Sequence, residues 1–348
     1  MRKLLSYSLL IGFTGMFLFS SCTKEGPAGP PGKDGEDGID GQDGTATCIQ
    51  CHDDSQMLFA KSVQWEASTH ATGGNFERSE GECAICHTSQ GFRGNIDGSY
   101  NYEEEGAAIS NPNPPNCYTC HQIHSTYTTA DLALTWTDPV EIRNSGKQTF
   151  DFGDANICAM CHQGRTLDPF PVAGGDDVQV TSPYWGIHHG PQANMISTLG
   201  VFDPGTGTLP TGHPHNTSIE DACVTCHMAE AYGAQSGGHT MNMTYEYHGS
   251  ETLNTAGCVT CHTDTEELVA DVEQLQGEIE ALLTELKTLL DAEGITVEGS
   301  DNAVPGTYPA NVAGAFVNYK ACLEDGSYGV HNPTFIKKLL ENTIDLLQ

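Results

Sequence analysis

The sequence predicts a mostly α-helical chain with extensive irregular loops and a C-terminal helical hairpin or coiled-coil segment. Three observations predict it. Six copies of Cys-x-x-Cys-His lie between residues 48 and 262, each the length of a single helical turn. The chain holds 39 Gly and 17 Pro, and only 38% of its residues are hydrophobic, so loops abound and side chains alone supply little core. Beyond residue 263 the pattern changes to apolar residues spaced alternately four and three apart, the period of a helix seam.

Charge narrows the function classes. Lys and Arg total 14 against 46 Asp and Glu, a net charge of −32, which excludes nucleic acid as a partner because phosphate binding needs a basic footprint. Such an acidic surface serves solubility outside the cell, and steering of a cationic redox partner is the sharper reading of the same charge.

The first element is an export signal over residues 1–21. Arg2 and Lys3 give a positive start and an apolar run extends from Leu4 to Phe19, the length of a signal core and too short for a confident spanning helix. Ser20 and Ser21 precede Cys22, which resembles the lipidation box of bacterial lipoproteins, with Phe19 where such boxes carry an aliphatic residue. That resemblance makes Cys22 the lipidated first residue of the mature chain. Thr23 rather than Asp follows it, and by the sorting pattern of such lipoproteins this favours the outer membrane. Ordinary cleavage with an incidental cysteine is the alternative.

Residues 22–45 form a tether. Gly26, Gly29, Gly32, Gly35, Gly38, Gly41 and Gly44 recur at every third position, the spacing a collagen triple helix requires because only Gly fits at its axis. So few triplets suit an extended hydrated spacer, which in the polyproline II regime reaches on the order of 60 Å; trimerisation is the alternative.

The third element, residues 46–263, carries the repeated motif. In chain order the motifs are Cys48/Cys51/His52, Cys83/Cys86/His87, Cys117/Cys120/His121, Cys158/Cys161/His162, Cys223/Cys226/His227 and Cys258/Cys261/His262, numbered 1 to 6 below. Cysteines three apart on a helical turn share a face and can bond the two vinyl groups of one porphyrin, while the following histidine points at its iron. Zinc would draw thiolates from two such knuckles and leave a histidine after every second cysteine unexplained. The motifs therefore imply six covalently bound haem c groups. Roughly 36 residues then serve each haem, so the porphyrins themselves supply most of the apolar interior. The fold class becomes a multihaem cytochrome c with a haem-packed core.

Nine histidines lie outside the motifs: His70, His124, His188, His189, His213, His215, His239, His248 and His331. His124, three residues after His121, cannot reach the far face of the same haem and so would serve a neighbour. The segments Trp65–His70, His188–Gln192, Cys223–Met228, Gly237–Thr240 and Gly329–Pro333 resemble those of multihaem cytochromes in the pentahaem nitrite reductase and octahaem tetrathionate reductase group. The likeness runs from about residue 48 to 348 as scattered motifs. It implies distal iron ligation by His70, His124, His188 or His189, His215, His239 and His331, with His213 and His248 in reserve. Arg165, in Cys-His-Gln-Gly-Arg, is expected to pair a haem propionate, with a catalytic role the alternative.

In residues 264–348, Leu268, Val272, Leu275, Ile279, Leu282, Leu286 and Leu289 form a heptad seam ending near Gly294. It fits a two-stranded coiled coil, or packing against two further helices at about 309–324 and 333–347. Similar C-terminal helices make dimer contacts in the nitrite reductase group, so a homodimer is expected by resemblance. Cys322, among apolar neighbours, reads as an inert buried thiol.

Two functions remain. One is an electron carrier at the bacterial envelope with six bis-histidine haems, exchanging electrons with other cytochromes or a quinol-oxidising complex. The other is a reductase of nitrite, hydroxylamine or a sulfur oxyanion with one open haem. The nitrite reductases mark their active haem with Lys in place of the motif histidine, and no such variant occurs here. Anionic substrates also need a cationic pocket, and residues 48–262 hold only Lys61, Arg78, Arg93, Arg143, Lys147 and Arg165. The carrier is favoured, although some relatives catalyse at ordinary motifs.

Overall fold

The computed structural model describes residues 51–52, 56–72, 75–187 and 190–348. The export signal, Cys22, the Gly-X-Y tether, Cys48, His188 and His189 lie outside the described residues.

The fold is mostly helical, with long irregular loops and three two-stranded antiparallel sheets. In chain order come α1 (Gln56–Glu66), α2 (Thr69–Thr72), α3 (Gly81–His87), α4 (Ser89–Asp97) and α5 (Cys117–Cys120). Strands β1 (Val140–Glu141) and β2 (Thr149–Phe150) follow, then α6 (Asn156–Ala159), β3 (Val178–Val180), α7 (Gln192–Ser197), α8 (Pro214–Thr217) and α9 (Ala222–His227). The chain continues through β4 (Thr244–Tyr247), β5 (Ser250–Leu253), α10 (Thr265–Ala292), β6 (Gly306–Tyr308), α11 (Ala310–Asp325) and α12 (Pro333–Leu347).

The short helices are held by their ends, since none is long enough to be stable alone. Asn116 caps α5, its Oδ1 accepting from the Tyr118 amide at 3.0 Å, while Thr119 Oγ1 accepts from the Asn116 amide at 2.8 Å. Thr88 caps α4 by accepting from the Gly91 amide at 2.9 Å. The long α10 begins at Asp264, whose carboxylate accepts from the Glu266 and Glu267 amides, both at 3.1 Å.

The apolar core sits at the C-terminal end of the sequence. Helix α10 buries Leu268, Ile279, Leu283, Leu286 and Leu290, so its buried stripe departs from the expected seam, of which Val272, Leu275, Leu282 and Leu289 are only half-buried. Ile279 through Leu290 join one core cluster with Phe316, Val317, Phe335, Leu339 and Leu340 of α11 and α12. Of the two arrangements left open for the seam, packing against two further helices of the same chain is the one observed. Leu167, Val178, Trp185, Ile187, Met195 and Phe202 share that cluster, so the motif-bearing region and the C-terminal helices have one interior. Pairing of β3 with β6 joins them again. Phe202 lies flat on α11 because residue 314 is glycine: a Cβ there would stand 2.4 Å from the ring. Asn318, fully buried, fixes the same approach by accepting from the Phe202 amide at 3.0 Å and donating to its carbonyl at 2.8 Å.

A smaller cluster of Val140, Ile142, Phe150, Ala155, Ala159, Ala193, Ile196 and Ala222 underlies motif 4. Elsewhere around the motifs side-chain burial is thin. Among the described residues from 51 to 135, the buried apolar side chains are Ala84, Ile85 and Phe92. No described helix is long and apolar enough to cross a membrane.

Candidate haem centres

Each fully described motif forms a single tight turn. Motif 2 lies within α3 and motif 5 within α9. In motifs 3, 4 and 6 the histidine amide donates to the carbonyl of the first cysteine, at 2.9 Å for His121, 2.8 Å for His162 and 2.9 Å for His262. The two thiols and the imidazole therefore project from one turn.

The described motif cysteines are free thiols, and no disulfide joins any of them. They differ in burial: Cys86, Cys120, Cys158, Cys161, Cys223, Cys226 and Cys258 are half-buried, whereas Cys83, Cys117 and Cys261 are exposed. Cys51, Cys161, Cys258 and Cys261 depart from the expected helices, each lying in a turn outside any helix. Cys51 lies half-buried in a turn outside any helix. Cys261 also lies in a turn, where its amide donates to the Cys258 carbonyl at 3.0 Å. The reason for motif 6 is local. Asp264 opens α10 two residues after His262, so the motif has room for one turn and cannot extend into a helix of its own. Attachment at Cys51 and Cys261 therefore lacks the helical frame that Cys86 and Cys226 have, and Cys261 lacks their burial as well.

Five pairs of imidazoles each unite one motif histidine with one histidine from outside the motifs, while His213 and His215, 4.7 Å apart, are both from outside them. Ring centroids are 6.1 Å apart for His52 and His124, 5.8 Å for His162 and His70, and 6.1 Å for His121 and His239. For His227 and His331 the separation is 6.2 Å, and for His262 and His215 it is 6.4 Å. Two imidazoles ligating one metal from opposite sides stand roughly 6 Å apart, given a metal–nitrogen bond of about 2 Å and a ring radius of about 1.1 Å. Directly stacked rings would be closer. The interplanar angles run from 33° to 89°, as expected when each ring turns freely about its own bond to a metal.

Hydrogen bonds orient six of these rings. Nδ1 donates to the Leu132 carbonyl from His121 at 2.6 Å, to the Met241 carbonyl from His227 at 2.9 Å and to the Val330 carbonyl from His215 at 2.8 Å. His162 Nδ1 donates to Gln192 Oε1 at 3.0 Å, and His331 Nδ1 donates to Asp325 Oδ1 at 2.6 Å. His124 Nδ1 and the Tyr118 hydroxyl are 3.1 Å apart, with Tyr127 stacked on the ring. A proton held on Nδ1 leaves the lone pair on Nε2, the atom that ligates a metal. His239 Nδ1 is buried with no hydrogen-bond partner among the described residues.

Electrostatics favour the neutral form of His70, His162, His215, His227 and His239. Burial, then positive charge on His162 and His227, pushes His70 down to about 4. Burial, then Lys61 and His121, pushes His239 down to about 4. Burial also lowers His162, His215 and His227. His331 is the exception: burial depresses it, but the charge and hydrogen bond of Asp325 outweigh burial and raise it.

The motifs also touch one another. Cys86 Sγ lies 3.9 Å from the Met160 carbonyl and Cys161 Sγ lies 3.8 Å from the Ile85 carbonyl, a reciprocal contact between motifs 2 and 4. Cys158 and Cys223 share a thiol hydrogen bond, joining motifs 4 and 5. Gly257 lets motif 6 abut motif 5, since a Cβ there would stand 2.5 Å from the Thr225 carbonyl and 2.9 Å from Cys226 Cα.

The remaining candidates have other surroundings. Arg165 donates from Nε to the Gly186 carbonyl at 3.0 Å and from Nη2 to the Tyr184 carbonyl, holding the segment that leads to 188–189. His213 caps α8, its Nδ1 accepting from the His215 amide at 3.2 Å. His248 occupies the β4–β5 hairpin turn with φ 51°. Cys322 is buried in the main core and burial pushes its thiol far up. Sequence reasoning missed Gln192, Asp325 and Tyr118, whose contacts with the rings depend on how the loops fold back. Gln192 closes the His-His-Gly-Pro-Gln segment, the one local signal among them.

No protein-family model matches this chain, and no curated protein matches it. Among solved structures it is similar to the crystal structure of the outer cell wall cytochrome OcwA, with a TM-score of 0.52 and 20% identity over 83% of this chain and 50% of that one. The chain thus spans half the length of that cytochrome, and at this identity the likeness is one of fold.

Proposed function

We propose that this chain is a multihaem c-type cytochrome that transfers electrons at the bacterial envelope through six covalently attached haems, each held between two histidines. One observation carries the proposal: five pairs of imidazoles, each joining a motif histidine to a histidine outside the motifs, stand 5.8 to 6.4 Å apart. Haem c, when bound, supplies reversible one-electron chemistry at its iron. The cysteines of motifs 1 to 6, Cys51 and Cys261 included, anchor it through thioether bonds. His52, His87, His121, His162, His227 and His262 bind one side of the iron. The other side is bound by His124 for motif 1, His239 for motif 3, His70 for motif 4, His331 for motif 5 and His215 for motif 6. His188 or His189 would serve motif 2, and Arg165 a propionate. The thin side-chain core around the motifs fits such groups.

The chain's own part is to fix ligand geometry, so that little rearranges when an electron arrives, and to set neighbouring centres in contact. The fold shared with an outer cell wall cytochrome supports an envelope location. Lipidation at Cys22 with the Gly-X-Y tether would anchor the cytochrome to the outer membrane, facing the periplasm or the cell surface. Its partners would be other cytochromes or a quinol-oxidising complex. A homodimer through the C-terminal helices, or a trimer through the tether, extends the same reading.

Denaturing mass spectrometry of protein from a cytochrome-maturing host tests the haem count, with the chain mass plus six haems expected. Carbon monoxide separates the two functions. A sealed carrier binds almost none when reduced and is wholly low-spin when oxidised. A substantial high-spin signal would favour a reductase of nitrite, hydroxylamine or a sulfur oxyanion.

A further inference from the structure

The Nδ1 partners described above are neutral with one exception. Leu132, Met241 and Val330 offer carbonyls, Gln192 an amide oxygen and Tyr118 a hydroxyl, whereas His331 alone donates to a carboxylate, Asp325 Oδ1 at 2.6 Å. Asp325 has no exposed side-chain surface. Its other oxygen accepts from the Ser327 hydroxyl and, at 3.4 Å, from the Ser327 amide. Three donors converge on it, which is the arrangement of an ionised acceptor. The Asp325 backbone is pinned as well, its carbonyl accepting from Gln192 Nε2 at 3.1 Å. Gln192 itself orients His162, so one residue at the C-terminus of α11 braces ligands of motifs 4 and 5.

A buried anion accepting the distal proton gives an imidazole partial imidazolate character. Such a ligand donates more strongly to iron and favours the ferric state. We propose that Asp325 is a positioning and tuning residue that makes the haem of motif 5 the most reducing centre in the chain. The inference rests on the six-haem, bis-histidine reading of the previous section. Its consequence is a step in driving force between motif 5 and its neighbours, motifs 4 and 6, built into the ligand set.

The test uses the haem-loaded full chain and the Asp325→Asn variant. Asn keeps an oxygen acceptor for His331 and a partner for Ser327 while removing the charge. Redox titration followed by optical absorbance should show the lowest-potential sixth of the haem signal moving upward, with the rest unchanged. A tenfold change in the ferric-over-ferrous preference of that centre corresponds to 59 mV for one electron. An unchanged titration in a variant that still carries six low-spin haems would overturn the inference and leave the cytochrome reading standing. A chain without six haems would overturn that reading first. If the variant does not load, the unmutated protein decides. Its electron paramagnetic resonance spectrum, followed through the same titration, should assign the least anisotropic low-spin signal to the lowest-potential centre, and assignment to a higher-potential centre would refute the proposal.

Discussion

The His124 ring stands 6.1 Å from the His52 ring, although His124 is only three residues from His121. His121 faces His239 instead. Two histidines on one short stretch thus face rings of two different motifs, and the stretch 121–124 brings motif 1 and motif 3 together. The same weaving recurs throughout. Motif 4 pairs with His70 from between motifs 1 and 2, motif 6 with His215 from between motifs 4 and 5, and motif 5 with His331 from beyond all of them.

Replacing His124 by Ala should open the iron of motif 1 and leave motif 3 sealed. Carbon monoxide should then react with about one haem in six of the reduced variant, against almost none in the unmutated protein. Optical titration with the gas gives the fraction. A reactive fraction near two haems would mean that the stretch 121–124 fails as a unit.

The sequence reveals these centres unevenly, for physical reasons. Attachment is a local demand, since two thioethers and one iron bond must come from a single turn of chain, and so Cys117, Cys120 and His121 announce themselves by spacing. Whether that turn sits in a helix is not local: Cys226 is framed by α9, while Cys51 and Cys261 lie in bare turns of the same spacing. Pairing is not local either. Nothing in the spacing of His70 or His331 says which iron it faces, because loop paths and the neighbouring motifs decide that. The same holds for Asp325, which acts through a histidine six residues on. In the C-terminal segment the period of Leu275, Ile279, Leu282 and Leu286 reports a buried stripe, and the expected helices at about 309–324 and 333–347 lie at Ala310–Asp325 and Pro333–Leu347. A stripe does not say what covers it, and here α11 and α12 of the same chain do. The small cluster around Phe150 and the place of Phe202 in the main core are not legible, because these residues come from short irregular segments without periodicity.

Gly257→Ala should damage motifs 5 and 6 specifically. The new Cβ would stand 2.5 Å from one backbone atom and 2.9 Å from another, and backbone cannot swing aside as a flexible side chain can. A stability loss of about 1–3 kcal/mol is expected from such overpacking, with under-loaded species in the mass spectrum. Gly277, in α10 with open space around its Cβ position, is the control. Gly277→Ala should gain up to about 1 kcal/mol in helix propensity and keep full loading. Equal thermal midpoints for the two variants would contradict the close approach.

Cys22→Ala should release the cytochrome from membranes or block its processing. On the lipidation reading, membrane retention rests on lipid at Cys22. Fractionation with haem staining reads the outcome. Unchanged retention in the membrane pellet would refute the lipid anchor.

The last prediction concerns the chain without its haems. Around motifs 1 to 3 the described buried apolar side chains are Ala84, Ile85 and Phe92, too few to offset the conformational entropy lost in ordering that region. The C-terminal helices are different, because α10, α11 and α12 bury Ile279, Leu286, Phe316, Phe335 and Leu339 against one another. Protein made in a host without haem-attachment machinery should therefore be folded at one end only. Hydrogen exchange should show slow amides in Thr265–Ala292, Ala310–Asp325 and Pro333–Leu347, and near-unprotected amides from residue 51 to 135. In the haem-loaded protein both regions should be protected. The order of dependence follows from where the apolar surface comes from: the helices carry their own, and the motif region borrows it from porphyrin. Equal protection of residues 51–135 in the haem-free chain would show that the polypeptide holds this region unaided, and would remove the structural argument for a haem-packed core.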